Sequence, residues 1–89
     1  MRPRKERTLN FHPEHRYFTP ITEKQIMHEE CSLKHEEIEA IKLKDLENLD
    51  QKQCALSMKI SQPTFHRMLK QARKKIASAL IKGHSIRII

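Results

Sequence analysis

Residues 50–83 read DQKQCALSMKISQPTFHRMLKQARKKIASALIKG, and this stretch predicts two helices joined by a tight turn. The side chain of Asp50 is suited to accept a hydrogen bond from the first turn of a short helix over residues 51–58. Ser61 is suited to cap a longer helix over residues 62–81. The two helices are therefore expected to be separated by only three residues.

The longer helix is predicted to have two faces of different chemistry. Pro63 lies in its first turn, where a helix tolerates proline, and Gly83 follows its end, where the left-handed conformation of glycine favours termination. At about 100° per residue, one side collects the apolar residues Phe65, Met68, Leu69, Ala72 and Ile76. The opposite side is polar and basic, with His66, Arg67, Lys70, Gln71, Arg73 and Lys74. The apolar side is expected to face the core.

A third helical pattern precedes this pair and covers about residues 32–49. Ser32 is predicted as its N-cap, and its early glutamates and late lysines match the direction of the helix dipole. Apolar residues occur on two sides of the helical wheel, which indicates packing on more than one flank. The helix is also rich in lysine, so its glutamates are interpreted as a solvated surface; they are Glu36, Glu37, Glu39 and Glu47.

The remaining residues predict an arm and a tail around a helical domain of residues 32–82. Residues 1–31 are interpreted as a basic extended arm and linker, because the first 22 contain three of the four prolines and show no helical period. Residues 8–11 alternate polar and apolar side chains, and the tail of residues 83–89 is rich in isoleucine. These two segments are predicted to pair as β-strands. The fold class is therefore mainly α, a three-helix bundle with an extended arm and a short tail.

The net charge of +7 is distributed unevenly along the chain. Residues 51–89 contain nine Lys or Arg and no Asp or Glu, whereas residues 23–50 contain four basic and nine acidic residues. This asymmetry favours a polyanionic partner, and nucleic acid is the first candidate. Two alternatives are a basic surface that only keeps a small protein soluble and, less favoured because the chain has no Trp, contact with an anionic membrane surface.

Other classes of function have less support. A chain of 89 residues buries a limited fraction of its surface and shows no nucleophile–base pair, so an enzyme is not predicted. His28, Cys31 and His35 supply three zinc ligands where a closed site needs about four, so no metal and no cofactor is predicted. Cys54 is expected to be a small buried packing residue. No apolar run is long enough to span a membrane, and a cytoplasmic protein is expected.

The two helices over residues 51–58 and 62–81 form the pattern of a helix-turn-helix, whose second helix enters the major groove of DNA. Arg67 and Gln62 are the best candidates for reading bases, because Arg suits guanine and Gln suits adenine in bidentate pairs. Further side chains at the groove or on phosphate are predicted to be Ser61, Thr64, His66, Lys70, Gln71, Arg73, Lys74 and Lys52.

A resemblance to a known family extends along nearly the whole chain. It is carried by RPRK at residues 2–5, Pro13-Glu14 with Tyr17-Phe18, Asp45-Leu46-Glu47 with Leu49-Asp50-Gln51, Ser61 with Pro63-Thr64-Phe65, Ala72-Arg73-Lys74-Lys75, and Gly83. In these segments the chain resembles uncharacterised protein family 0251, or domain of unknown function 134, a small family of predicted DNA-binding proteins. Residues 33–80 also resemble region 4, the promoter-reading C-terminal region of bacterial sigma factors. The resemblance implies a three-helix, sigma-like DNA-binding fold.

The chain departs from the family pattern in three places. The family usually has Gly where Asn48 and Lys59 stand, at turns where a positive φ is useful. Asn adopts that conformation readily, whereas Lys loses on the order of 1 kcal/mol. Many members also carry two cysteines where this chain has Glu6 and Asn10, so a metal held by such a pair elsewhere is not expected here.

The leading hypothesis is a sequence-specific DNA-binding protein that regulates transcription by binding double-stranded DNA, as a monomer or a homodimer. The arm residues Arg2, Arg4 and Lys5 are candidates for contact in an adjacent minor groove. The alternative is that this basic terminus makes no contact with DNA. A hypothesis from another class is a protein-interaction module that docks on the transcription machinery, for example on RNA polymerase. RNA binding is weaker, because the few aromatic residues do not predict a stacking platform on a sheet.

Overall fold

The computed structural model describes residues 7–22 and 28–89, and these residues form three α-helices and one three-stranded sheet. The helices are α1 (His35–Ile41), α2 (Gln51–Met58) and α3 (Gln62–Lys82), and α1 continues directly into a π-helical segment, Lys42–Leu46. The strands are β1 (Tyr17–Phe18), β2 (Glu30–Leu33) and β3 (Ser85–Ile88). The architecture is mixed, with a helical bundle beside a small sheet, where the sequence predicted a mainly α fold.

The limits of α2 and α3 follow the local signals in the sequence. The Oδ1 atom of Asp50 accepts a hydrogen bond from the backbone N–H of Gln53 at 2.8 Å. At the start of α3, Ser61 Oγ accepts one from the backbone N–H of Thr64 at 3.2 Å. Gly83 follows the last turn with φ +70°, in the left-handed region. The predictions of both helices and of their caps are therefore confirmed.

The turns before and after α2 each contain a residue with positive φ. Asn48 has φ +61° and Lys59 has φ +56°. These are the two positions at which the sequence predicted left-handed backbone. An asparagine tolerates this conformation, whereas the Cβ of a lysine is strained there by about 1 kcal/mol.

We expect Lys59→Gly to raise the free energy of unfolding by up to about 1 kcal/mol, because glycine relieves the left-handed strain. Part of this gain is offset by the larger conformational entropy of glycine in the unfolded chain. Urea unfolding followed by circular dichroism would measure the change, with Asn48→Gly as a control that should change less. An unfolding midpoint below that of the unmodified protein would argue against strain at Lys59.

The start of α1 differs from the prediction. Ser32 is not the N-cap, because it lies within β2, and the cap position is Lys34. The Oε1 atom of Glu37 accepts a hydrogen bond from the backbone N–H of Lys34 at 2.8 Å. The serine is an adequate cap in isolation, but pairing of residues 30–33 with β3 places it in a strand.

The central strand of the sheet is β3. It runs parallel to β2, with Glu30 opposite Ser85, and antiparallel to β1, with Tyr17 opposite Arg87. The predicted β-structure of the tail is confirmed. Its predicted pairing with residues 8–11 is wrong, because the strands that pair with the tail are β1 and β2. The sheet packs on α3 through a small cluster formed by Leu33, Ala72 and Ile88.

The main core lies between α1, α2 and α3. Its buried members are Ala40, Leu43, Cys54, Ala55, Met58, Phe65, Met68 and Leu69. Leu46, one of the apolar residues within the predicted helix of residues 32–49, is 77% exposed. Among the described residues, no helix combines the length and the apolar character that crossing a membrane would require.

The two cysteines differ in their surroundings. Cys54 is fully buried in the main core, as predicted, and burial raises the pKa of its thiol. Cys31 lies half-buried in β2. We expect iodoacetamide at about pH 8 to modify Cys31 well before Cys54, because the thiolate is the reactive form, and burial both disfavours the Cys54 thiolate and excludes the reagent from it. Peptide mass spectrometry with and without denaturant would test this, and equal labelling rates in the native protein would contradict the packing of Cys54.

Candidate nucleic-acid interface

The two predicted faces of α3 are present in the structure. Phe65, Met68, Leu69 and Ala72 are buried, and Ile76 is half-buried. On the other side, six polar or basic side chains are exposed, and we call them the outer face of α3: Gln62, His66, Arg67, Lys70, Gln71 and Lys74. Residues 51–89 contain no Asp or Glu, so none of the neighbouring side chains on α2 or α3 adds a negative charge to this face.

The first turn of α3 contains a short chain of hydrogen bonds. Ser61 Oγ donates to Thr64 Oγ1 at 2.8 Å, in addition to capping the helix. The guanidinium Nη2 of Arg67 then donates to the same Thr64 oxygen at 3.4 Å. Ser61 and Thr64 are thus engaged within the helix, and their effect is to orient Arg67 on the outer face.

The side chain of His66 connects α3 to the start of α2. The Nε2 atom of Gln51 lies 3.5 Å from His66 Nδ1, which is a long hydrogen bond between exposed groups. Lys52, the next residue of α2, is also exposed. The beginning of α2 and the outer face of α3 therefore share one surface, and it includes Gln51, which the sequence did not predict as a contact.

Among the cations of α3 that were predicted to contact DNA, Arg73 has a carboxylate partner, whereas Lys70 and Lys74 do not. Arg73 donates to both carboxylate oxygens of Asp45 in the π-helical segment, with Nε at 3.0 Å from Oδ2. The sequence did not predict this partner. Lys70 and Lys74 are exposed, and within residues 7–22 and 28–89 no carboxylate forms an ion pair with either ammonium. Arg67 likewise has no ion pair among the described residues, so it shares the uncompensated charge of the outer face with these two lysines.

The pair of Asp45 and Arg73 predicts a pH-dependent contribution to stability. Hydrogen bonding from the Arg73 guanidinium lowers the pKa of Asp45. The contribution is therefore present above the unfolded pKa of about 3.9 and is lost as the pH falls through the lower folded pKa. We expect Asp45→Asn to cost less than about 1 kcal/mol at neutral pH, because the pair is largely exposed, and nothing at strongly acid pH. Thermal unfolding at both pH values would measure this, and an equal cost at both would contradict it.

Two glutamates of α1 are buried, and their interpretation as a solvated surface is wrong. Glu37 is 2% exposed and accepts hydrogen bonds from the backbone of Lys34 and, at 2.8 Å, from Lys75 Nζ. Glu39 is 0% exposed and accepts them from the backbone N–H groups of Asn10 at 2.6 Å and Phe11 at 2.8 Å. Lys34 is not a residue type that signals an N-cap, so no capping pattern marked Glu37, and no spacing pattern marked Glu39.

Arg7 of the N-terminal arm lies close to the start of α3. Arg7 Nη1 lies 2.9 Å from Glu36 Oε2 on α1. Arg7 also lines a cleft of about 570 Å³ together with Lys59, Ser61 and Thr64 at the start of α3. The predicted minor-groove residues Arg2, Arg4 and Lys5 lie outside the described residues.

Two of the three residues considered as zinc ligands, Cys31 and His35, make other contacts. Cys31 Sγ lies 3.8 Å from the backbone oxygen of Lys75, and the His35 ring bonds to the backbone oxygen of Phe11 through Nε2. The rings of His35 and His12 meet edge to face, with centroids 5.1 Å apart. In the part of the chain that the structure describes, no group of three or more potential ligands is arranged to hold a metal ion.

Comparison with known proteins gives a consistent family match. The family model described as protein of unknown function DUF134 matches residues 1–89. A UPF0251 protein of Halothermothrix orenii is 52% identical over 88 residues, which cover 97% of this chain and 64% of that protein. UPF0251 proteins of Clostridium novyi and Caldanaerobacter subterraneus are 47% and 49% identical over 98% of this chain, covering 59% and 74% of their own lengths.

The chain is thus shorter than these relatives, and it spans about three-fifths of the length of the first two. No solved structure matches it.

Proposed function

Since the chain belongs to the DUF134 family, whose name assigns no activity, we propose its function from geometry: it binds double-stranded DNA in a sequence-specific manner and regulates transcription. In this proposal α2 and α3 act as a helix-turn-helix similar to that of sigma region 4, and the outer face of α3 enters the major groove. The observation that carries the proposal is the outer face itself, which is exposed, cationic and free of carboxylates from residues 51–89.

The proposed mechanism divides the outer face by position along α3. The major groove accepts one α-helix, and the N-terminal side chains of a recognition helix reach the edges of the bases. Arg67 and Gln62 are proposed to read guanine and adenine, with Thr64 and His66 beside them. The hydrogen bond to Thr64 supports this role for Arg67, because it restricts the guanidinium before DNA arrives.

The remaining cations are proposed to position the protein on the sugar–phosphate backbone. Lys70, Lys74 and Lys52 would contact phosphates, which adds affinity without specifying sequence. Arg73 can join them only by sharing or leaving its Asp45 partner. The arm residues Arg2, Arg4 and Lys5 are proposed to contribute in an adjacent minor groove.

The proposal is tested by selecting bound duplexes from a random pool and then measuring affinity against salt. We expect an enriched motif, and an affinity that falls about 10²- to 10³-fold between 50 and 200 mM salt if about five phosphates are contacted. An inverted repeat with half-sites about one helical turn apart would indicate a homodimer. If no duplex binds at 50 mM salt, the proposal is overturned.

A second candidate function, docking on the transcription machinery, is favoured by exposed apolar side chains. Leu80 and Ile81 at the end of α3 are 72% and 86% exposed, and Leu56 on α2 is 68% exposed. Contact with purified RNA polymerase in the absence of DNA would support this function. A Leu80→Ser, Ile81→Ser variant should abolish that contact while DNA binding by the outer face is retained.

A further inference from the structure

The buried carboxylate of Glu39 has no cation as a partner among the described residues. Its Oε1 atom accepts hydrogen bonds from two backbone N–H groups of the arm, Asn10 and Phe11, and its Oε2 atom is buried without a hydrogen-bond partner in the described part of the chain. Burying a charged group is unfavourable unless hydrogen bonds compensate for lost water. The two arm amides are the compensation that the structure provides, so Glu39 and the arm hold each other in place.

Residues 7–11, which we call the anchored segment, have two further attachments. The backbone N–H of Thr8 donates to the backbone oxygen of Met58 at the end of α2, at 3.1 Å. The side chain of Leu9 packs against the main core. The segment is therefore fixed to both α1 and α2, although it belongs to neither helix nor sheet.

This attachment determines where Arg7 lies. Its guanidinium contacts Glu36 at 2.9 Å, and its side chain lines two clefts that both include Thr64 on the first turn of α3. The larger cleft, of about 570 Å³, also contains Lys59 and Ser61. The smaller, of about 190 Å³, also contains Arg67. Arg7 is thus held beside the proposed base-reading turn.

We propose that Glu39 is a positioning residue for DNA binding: it holds the anchored segment so that Arg7 and Lys59 contact a backbone phosphate beside the first turn of α3. The proposal rests on the function proposed above. The chemistry of the larger cleft fits a phosphodiester, because its lining includes two cations and the Thr64 hydroxyl, which accepts in both of its hydrogen bonds and keeps its own proton to donate, and includes no carboxylate. Arg7 would share its guanidinium between the phosphate and Glu36. The Nε atom of Arg7 is buried and has no hydrogen-bond partner in the described residues, so one donor of this side chain is unsatisfied.

The test compares variants for affinity to one duplex, the motif enriched from the random pool, across a salt series. Arg7→Ala should weaken binding about tenfold at low salt and reduce the slope of log affinity against log salt by about 1. Glu39→Ala should give the same two changes, although it removes a negative charge. The double variant should bind less than about twofold more weakly than Glu39→Ala alone, because Arg7 is already displaced when Glu39 is replaced.

Control variants distinguish the proposed positioning role of Glu39 from an effect of its charge and from loss of the fold. Glu47 follows the π-helical segment, and its side chain is exposed. Glu47→Ala removes this negative charge and should strengthen DNA binding slightly, whereas Glu39→Ala should weaken it. Glu39→Gln keeps an oxygen that can accept from both amides and should restore affinity to within about twofold of the unmodified protein. If Glu39→Ala does not fold, Asn10→Pro removes one of the two donors from the arm and should reduce affinity in the same way.

The outcomes distinguish this proposal from the proposed function. Two results would overturn only the positioning role while the unmodified protein still binds DNA. In the first, the double variant loses affinity by the product of the factors measured for Arg7→Ala and Glu39→Ala. In the second, Glu39→Ala strengthens binding as Glu47→Ala does. If no duplex binds at low salt, the positioning role and the proposed function are both overturned. Faster amide hydrogen exchange at Asn10 and Phe11 in Glu39→Ala, measured by NMR without DNA, should accompany the loss of affinity; unchanged exchange would also overturn the positioning role.

Discussion

Replacing Phe65 with alanine is expected to destabilise the fold by about 3–5 kcal/mol, which is a large share of the stability of a small domain. Phe65 is 0% exposed and lies in the core between the three helices. The loss combines the transfer of a buried ring to water with the cavity that it leaves, and a chain of 89 residues has few other large core side chains to compensate. The same change would loosen the turn that orients α3 against α2.

Urea unfolding followed by circular dichroism would measure this loss. Leu80→Ala is a matched control on the same helix, because Leu80 is 72% exposed and should change stability by less than about 0.5 kcal/mol. Loss of DNA binding by Phe65→Ala at temperatures where it is still folded would indicate that the orientation of α3 is also affected. Equal midpoints for the two variants would contradict the position of Phe65 in the core.

The second large effect is expected at Arg67. On the proposed function, Arg67→Ala should cost about 1–3 kcal/mol of binding free energy on the selected motif and should reduce discrimination at one base position. Lys74→Ala should weaken binding to all duplexes to a similar extent and reduce the salt slope by about 1. Both substitutions remove one positive charge from the same face of α3. A difference between the two variants in discrimination among duplexes would therefore arise from base reading and not from charge.

Fluorescence anisotropy on the selected duplex and on single-base variants would separate these effects. Arg87→Ala is a control that removes an arginine from β3, where Arg87 is bonded to Glu30 and stacked over the Tyr17 ring. It should leave specificity unchanged. If Arg67→Ala and Lys74→Ala reduce the affinity for every duplex by the same factor, Arg67 does not read bases.

The sequence predicted α2, α3 and the turn between them because the relevant interactions are local. A helix cap depends on a side chain and a backbone N–H three residues away, as at Asp50 and Ser61. The apolar stripe of α3 follows from the helical repeat alone. The positive φ of Asn48 was likewise indicated by residue type, whereas that of Lys59 was indicated by the family pattern alone.

The tertiary structure decided the features that depend on distant partners. Ser32 is a good cap by its chemistry, yet it lies in β2 because β3, more than 50 residues later, provides a strand partner. Glu39 resembles the other glutamates of α1 in sequence, but the arm amides that donate to its Oε1 atom are 28 and 29 residues away. Arg73 likewise donates to the carboxylate of Asp45, which lies 28 residues earlier in the chain. Local spacing therefore determined α2, α3 and the two faces of α3, because caps and helical repeats act over a few residues. Long-range pairing determined where α1 begins, which of its glutamates are buried and which charges remain available for a ligand.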